Sequence, residues 1–265
     1  MVMQAVVSRA RMAAAYLGER WRRGVPTLEG DPARGTVFLV DGVGGLLLTP
    51  VLARKAFRQS GLPLATYVFD WHRGPRGEML ADLVCRRRNQ RAALRLARLI
   101  RCFRRCHPES PLHVLGYSGG AGIAVFAAEK LGRRARLNTL ILGAPALSSA
   151  YCLERALSSV DRCYAFVCRR DVVYLGLATA VFGTIDRRHG LSAGLVGFDS
   201  YPQGVADPGG AAGRLRQISW EPSMRHDGHC GQHTGCATVD FICHRIVPLL
   251  AGDAGGAPVR LDGSP

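Results

Sequence analysis

The stretch "PLHVLGYSGGAGIAVFAAEKLG", residues 111–132, carries the fold in miniature. Six apolar-rich residues entered through Pro111 read as a strand buried on both faces, and "GAGIAVFAAEKLG" reads as a helix closed by Gly132. Between them Ser118 stands among glycines. With 32 glycines in 265 residues, chance alone supplies about 0.2 G-x-S-x-G patterns, and "GLSAG" at 190–194 is a second match, so context has to choose. A strand, a sharp turn and a helix surround Ser118; "DRRH" precedes Ser192 where a strand should be, and "LVGFDSYPQG" follows where a helix should be. A glycine-flanked turn of this kind either presents the serine hydroxyl above the sheet, beside the amides of a helix N-terminus, or simply closes a tight connection or holds a phosphate.

Outward from this unit, short apolar runs alternate with helical patterns, which predicts a mostly parallel sheet with helices on both faces. "TVFLV" (36–40), "ATYVFDW" (65–71), "LNTLILGAP" (137–145), "CYAFVC" (163–168) and "RQISW" (216–220) read as further strands. "TPVLARKAFRQSG", a long arginine-faced segment from about Leu80 to Cys106, and "CATVDFICHRIVPLL" read as helices. The spacing predicts one domain over 31–251 with an irregular insertion at about 182–213, preceded by a peripheral helix and linker (1–30) and followed by a disordered tail (252–265).

Composition narrows the function classes. Hydrophobic content of 48% with 21% charged residues is globular, and no run reaches the length of a membrane span. Arg9 and Arg11 interrupt the apolar N-terminus and no small-residue cleavage site follows it, so a secretory signal is not expected and the cytoplasm is the expected location. Nine cysteines without regular spacing read as reduced thiols. The net charge is +15, and of 35 basic residues all but Lys55 and Lys130 are arginine. Arg88, Arg91, Arg95 and Arg98 recur at helical spacing opposite Leu96, Leu99, Ile100 and Phe103, the pattern of a solvated basic face. Contact with an anionic membrane surface stays open as a second use of that charge. Nucleic acid is not expected, because no interleaved aromatics or zinc-finger spacing accompany it.

With "VFLVDGVGG" at 37–45 added to the serine turn, residues 36–250 resemble the α/β-hydrolase superfamily. "DGVGG" is similar to the His-Gly-x-Gly-Gly turn of small bacterial lipases, with Asp41 where those have histidine. The resemblance implies an oxyanion hole formed by the Val43 and Gly119 amides, and a carboxylate at 41 would oppose the developing negative charge unless turned away or paired. It also implies the chain order nucleophile, acid, histidine. Asp171, just past the strand at 163–168, fits the acid, which is also where a helix N-cap is wanted. Asp186, Asp199 and Asp207 lie in the irregular segment.

For the histidine, "RHDGHCGQHTGCATVDFICHR" offers His226, His229, His233 and His244. The base belongs in the loop before the last helix, which excludes His244, and "HTG" resembles the His-x-Gly that opens that helix in small bacterial lipases. That favours His233, with His229 as runner-up. The same histidines with Cys230 and Cys236 could hold zinc, but no pair has C-x2-C spacing, so neither metal nor cofactor is expected. Tyr117, Asp41 and Tyr174 are the candidate substrate contacts.

The resulting expectation is a serine esterase or lipase acting on a small-molecule ester or thioester through Ser118, His233 and Asp171. Two alternatives use the same fold: acyl transfer on the same triad, and an inactive scaffold whose basic helix is the working surface.

Overall fold

A computed structural model describes residues 27–72, 79–132, 135–201 and 212–252. The expected disordered tail and most of the N-terminal segment lie outside the described residues. The strands β1 (Leu28–Glu29), β2 (Thr36–Val40), β3 (Ala65–Val68), β4 (Leu112–Tyr117), β5 (Leu137–Gly143), β6 (Val160–Val167) and β7 (Leu215–Ser219) form a seven-stranded sheet in the order β1-β3-β2-β4-β5-β6-β7. Every pair is parallel except β1 with β3. β1 falls where the sequence reads as linker; two residues carry too little period for a strand to show, and only pairing with Thr66 and Tyr67 makes them one.

Helices cover both faces, which is why β2 and β4 bury every side chain. On one face α1 (Leu48–Gln59) packs with the closing helical run Val239–Phe241, Ile242–Ile246 and Val247–Ala251. On the other lie α2 (Met79–Val84), α3 (Arg86–Cys106), α4 (Gly119–Ala128) and α5 (Glu154–Leu157). The long basic helix expected from Leu80 is broken at Cys85, where Asp82 turns inward to a site described below. Beyond the break α3 follows its pattern: Leu96 and Ile100 are buried, Leu99 and Phe103 pack against the core, and Arg91 and Arg98 face out. Arg95 instead lies over the Phe69 ring and Arg88 reaches Asp82.

α4 has no polar face because it is enclosed by the sheet and α3, with all ten residues buried. Two of its glycines are demanded by proximity. A Cβ on Gly120 would stand 2.2 Å from the Asp41 carbonyl oxygen, and one on Gly122 would stand 2.3 Å from Ile185.

Helical structure precedes the expected irregular insertion at 182–213 and recurs within it. A π-helical turn, Val173–Ala178, runs into α6 (Thr179–Phe182), and α7 (Ala193–Val196) follows. Ser192, at the second glycine-serine match, is wholly buried and donates its hydroxyl to the Leu175 carbonyl oxygen at 2.9 Å. All nine cysteines are free. Among the described residues no helix is long and apolar enough to cross a membrane.

Candidate active site

The C-terminal ends of β2, β4, β6 and β7 face one edge of the sheet, and the loops leaving them carry the candidate residues. Ser118 occupies the sharp turn from β4 to α4 with φ 52° and ψ −121°, a backbone that L residues adopt only when their surroundings enforce it. Three hydrogen bonds do so here: the Ser118 amide donates to Gly143 at 2.8 Å, and the Ser118 carbonyl accepts from Ala121 at 3.1 Å and Ala146 at 3.2 Å. The hydroxyl is thereby aimed away from the sheet.

Four residues past β6, Asp171 is buried. Its carbonyl accepts from the Leu175 amide, which starts the π-helical turn, while its carboxylate is left for the site rather than for capping. His233 opens a 3-10 turn after β7. Its Nδ1 lies 2.5 Å from Asp171 Oδ2 and its Nε2 lies 3.0 Å from Ser118 Oγ. Residues separated by 115 and 62 positions are thus linked through one imidazole.

Two tyrosines hold the His233 residue. Tyr174 stacks on it at 4.9 Å with planes 22° apart, Tyr117 packs at 5.3 Å, and the Tyr117 hydroxyl donates to the His233 carbonyl at 3.0 Å. Tyr117 therefore spends its hydroxyl on the histidine loop, where the sequence had suggested substrate contact. Burial above all, followed by the neighbouring Cys236 and Asp171, raises the Tyr117 phenol far above its ordinary value, so it stays a neutral donor.

His229 is not part of this line. Its ring is buried between Phe241 and Trp220, and its Nδ1 accepts from the Gly231 amide at 3.2 Å. Burial, then the proximity of His233, push it down to about 4. The other candidates are engaged elsewhere. The Asp186 carboxylate takes the Ser148 amide, Asp199 takes the Ser149 hydroxyl, and His244 pairs with Asp227. Asp207 lies outside the described residues. Among the described residues no three His, Cys, Asp or Glu side chains come together as a metal site would require.

The glycine turn after β2 lies against the serine turn. A Cβ on Gly119 would stand 2.7 Å from Val43 Cγ1 and 3.7 Å from the Val43 amide nitrogen, so the two residues are close neighbours. Neither amide has a hydrogen-bond acceptor among the described residues. Asp41, two residues earlier, is turned away from them. Its two carboxylate oxygens accept from the Leu48 and Thr49 amides at 3.1 and 3.2 Å, which caps the N-terminus of α1. Burial pushes its carboxyl above the usual carboxylate range, and the Thr49 amide pulls the other way. Both oxygens of the candidate substrate contact at 41 are thus engaged in a helix cap.

What the sequence did not reveal is the support of this turn. Asp82, arriving from α2, accepts the Gly44 amide at 2.8 Å and faces His72 Nε2 at 3.2 Å. His72 Nε2 also lies 2.9 Å from the Gly42 carbonyl oxygen, and its Nδ1 lies 3.1 Å from Asp70. For His72, burial lowers the pKa, but the Asp70 hydrogen bond and the charges of Asp82 and Asp70 outweigh it, and the net direction is upward. A lone His and a lone Asp on separate elements carry no motif, so only contact reveals them.

The glycine turn, the serine turn and the late histidine loop all meet at the C-terminal edge of a mostly parallel sheet. The chain has the α/β-hydrolase fold. No protein-family model matches this hydrolase-fold chain and no curated protein does. Solved structures do resemble it. A predicted CIB-like hydrolase from Thermoplasma acidophilum is 14% identical, with 84% of this chain and 89% of that one covered and a TM-score of 0.47. The esterase Pf2001 of Pyrococcus furiosus is 11% identical over 84% of each chain, with a TM-score of 0.49. Trichoderma reesei cutinase is 14% identical over 97% of this chain and 90% of its own, with a TM-score of 0.44.

Proposed function

We propose that the protein is a serine hydrolase that cleaves a carboxylic ester or thioester through an acyl-enzyme. The observation that carries this reading is the unbroken line Asp171–His233–Ser118, at 2.5 and 3.0 Å, beside two unengaged amides. Ser118 Oγ attacks the substrate carbonyl carbon while His233 Nε2 takes its proton, and the Asp171 carboxylate, on Nδ1, fixes the tautomer and stabilises the imidazolium. The oxyanion that forms points at the amides of Val43 and Gly119, each worth about 3 kcal/mol in comparable sites. His233 returns the proton to the departing alcohol or thiol as the carbonyl–heteroatom bond breaks, which leaves the acyl group on Ser118. Water, deprotonated by the same nitrogen, then attacks the acyl carbon, and Ser118 recovers its proton as the carboxylic acid leaves.

A fluorophosphonate probe tests this directly. Wild type is expected to label at Ser118, and Ser118→Ala is expected to lose labelling and about 10⁴-fold of its nitrophenyl ester hydrolysis. Folded wild-type protein that takes no label would defeat the proposal. Labelling without hydrolysis of any ester from two to sixteen carbons would move the reading to acyl transfer.

A further inference from the structure

The helical segment Val173–Phe182 is inside out. Its buried face carries Leu175, Gly176 and the hydroxyl of Thr179, which bonds to the Leu175, Gly176 and Gly190 carbonyls. Its exposed face is aliphatic and aromatic: Val173 is 66% exposed, Leu177 65% and Val181 57%, with Tyr174 and Phe182 alongside. A surface helix ordinarily shows the reverse, and a contiguous exposed apolar stripe marks a surface that meets something.

The surroundings of the stripe say what it meets. Arg169 and Arg170 stand exposed before its first turn, and Arg187, Arg188 and His189 stand exposed after its last. The second group folds back onto the helix: the Arg187 guanidinium reaches the Phe182 carbonyl at 3.4 Å and His189 Nδ1 lies 3.2 Å from the Ala180 carbonyl. The only acids between residues 169 and 191 are Asp171 and Asp186, and both are buried. Apolar side chains between two clusters of cations are the arrangement that inserts into the boundary of an anionic lipid layer, with chains entering the hydrocarbon and guanidinium groups on the headgroup phosphates.

The stripe is continuous with the candidate site. Tyr174 belongs to it and stacks on His233, and a cleft of about 440 Å³ lined by Arg170, Val173, Tyr174, Gln232 and His233 opens at the same place. We infer that the Val173–Phe182 helix, with its flanking arginines, is a docking surface for an anionic lipid layer and brings the Ser118 site to that layer. The docking rests on the surface alone and holds whatever reaction the site performs.

The test is co-sedimentation of the full chain with phosphatidylcholine vesicles in which one lipid in three is phosphatidylglycerol, against vesicles of phosphatidylcholine alone. Wild type and Ser118→Ala are both expected to bind the anionic vesicles about tenfold more tightly than the neutral ones. The double variant Leu177→Asp, Val181→Asp is expected to lose about tenfold in binding with an unchanged circular dichroism spectrum, since both positions are exposed. Arg187→Gln with Arg188→Gln should lower the anionic preference, whereas Arg91→Gln with Arg98→Gln on α3 should not. Three results would each overturn the inference. The double aspartate variant could bind as wild type does, neutral vesicles could bind as tightly as anionic ones, or the stripe could prove to mediate self-association that the double variant abolishes while vesicles go unbound. Because Ser118→Ala retains docking, its binding separates a failure of this inference from a failure of the hydrolase proposal.

Discussion

Gly235 has no room for a side chain: a Cβ there would stand 1.9 Å from His229 Nδ1, inside the ring that underlies the His233 loop. Gly235→Ala must therefore displace His229, and we expect about 1–3 kcal/mol of lost stability together with reduced probe labelling at Ser118. Unfolding by urea and labelling on the same sample check both; a variant with wild-type labelling would show that His229 does not brace the loop. The two histidines should also separate by substitution. His233→Ala is expected to abolish labelling, while His229→Asn is expected to lower stability and retain labelling in the protein that remains folded. Residue type alone does not separate these histidines, four positions apart in one loop before the last helix; the resemblance of "HTG" favours His233, with His229 as runner-up. The structure gives the two different surroundings: His229 sits among Trp220 and Phe241, and His233 reaches Ser118 and Asp171.

Elements hold the glycine turn from two sides. The Asp41 carboxylate caps α1, and Asp41→Ala is expected to cost about 1–2 kcal/mol, with Asp41→Asn recovering only part of that because it keeps one acceptor oxygen and turns an NH2 toward the other helix amide. Differential scanning calorimetry would decide, and equal losses for the two variants would show that the cap is not the source of the effect. On the other side, α2 delivers Asp82 to Gly44 and His72. The His72 pKa is raised in the folded protein, so its contribution is fully present below the ordinary imidazole value and is lost as pH rises through the raised one. The destabilisation by His72→Gln should accordingly shrink as the medium is made alkaline; a loss independent of pH would show that the ring acts by packing alone. At this scale the strands and α4 were legible because their apolar runs and glycine punctuation are local, and α2 was merged with α3 because nothing in "ADLVCRRRNQ" marks the break at Cys85.

For the molecule as a whole, buried neutral histidines set an acid limit. His113 is pushed down to about 3 by burial and then by Arg162 and Arg104, and His229 to about 4. Both groups stay neutral in the fold while the unfolded chain takes up protons at the ordinary imidazole value, so stability falls as pH drops below 6.5. For His229 alone the shift from 6.5 to about 4 corresponds to about 3 kcal/mol. Urea titrations across that interval are expected to show an acid-side loss that is smaller in His229→Asn, and a profile this variant leaves unchanged would contradict the buried neutral state.

By itself the sequence determined the sheet and its crossovers, the serine turn between β4 and α4, and the order in which serine, acid and histidine candidates follow one another, because each of these is written in residues that are neighbours in the chain. The resemblance already favoured His233 over His229; tertiary structure alone decided that the carboxylate of Asp41 caps α1 and that Asp82 and His72 brace the glycine turn. It also decided that the apolar residues of "VYLGLATAVF" face outward. An apolar run reads the same whether it is to be covered or exposed, and which of the two it becomes depends on how much of its surface the remaining elements can reach.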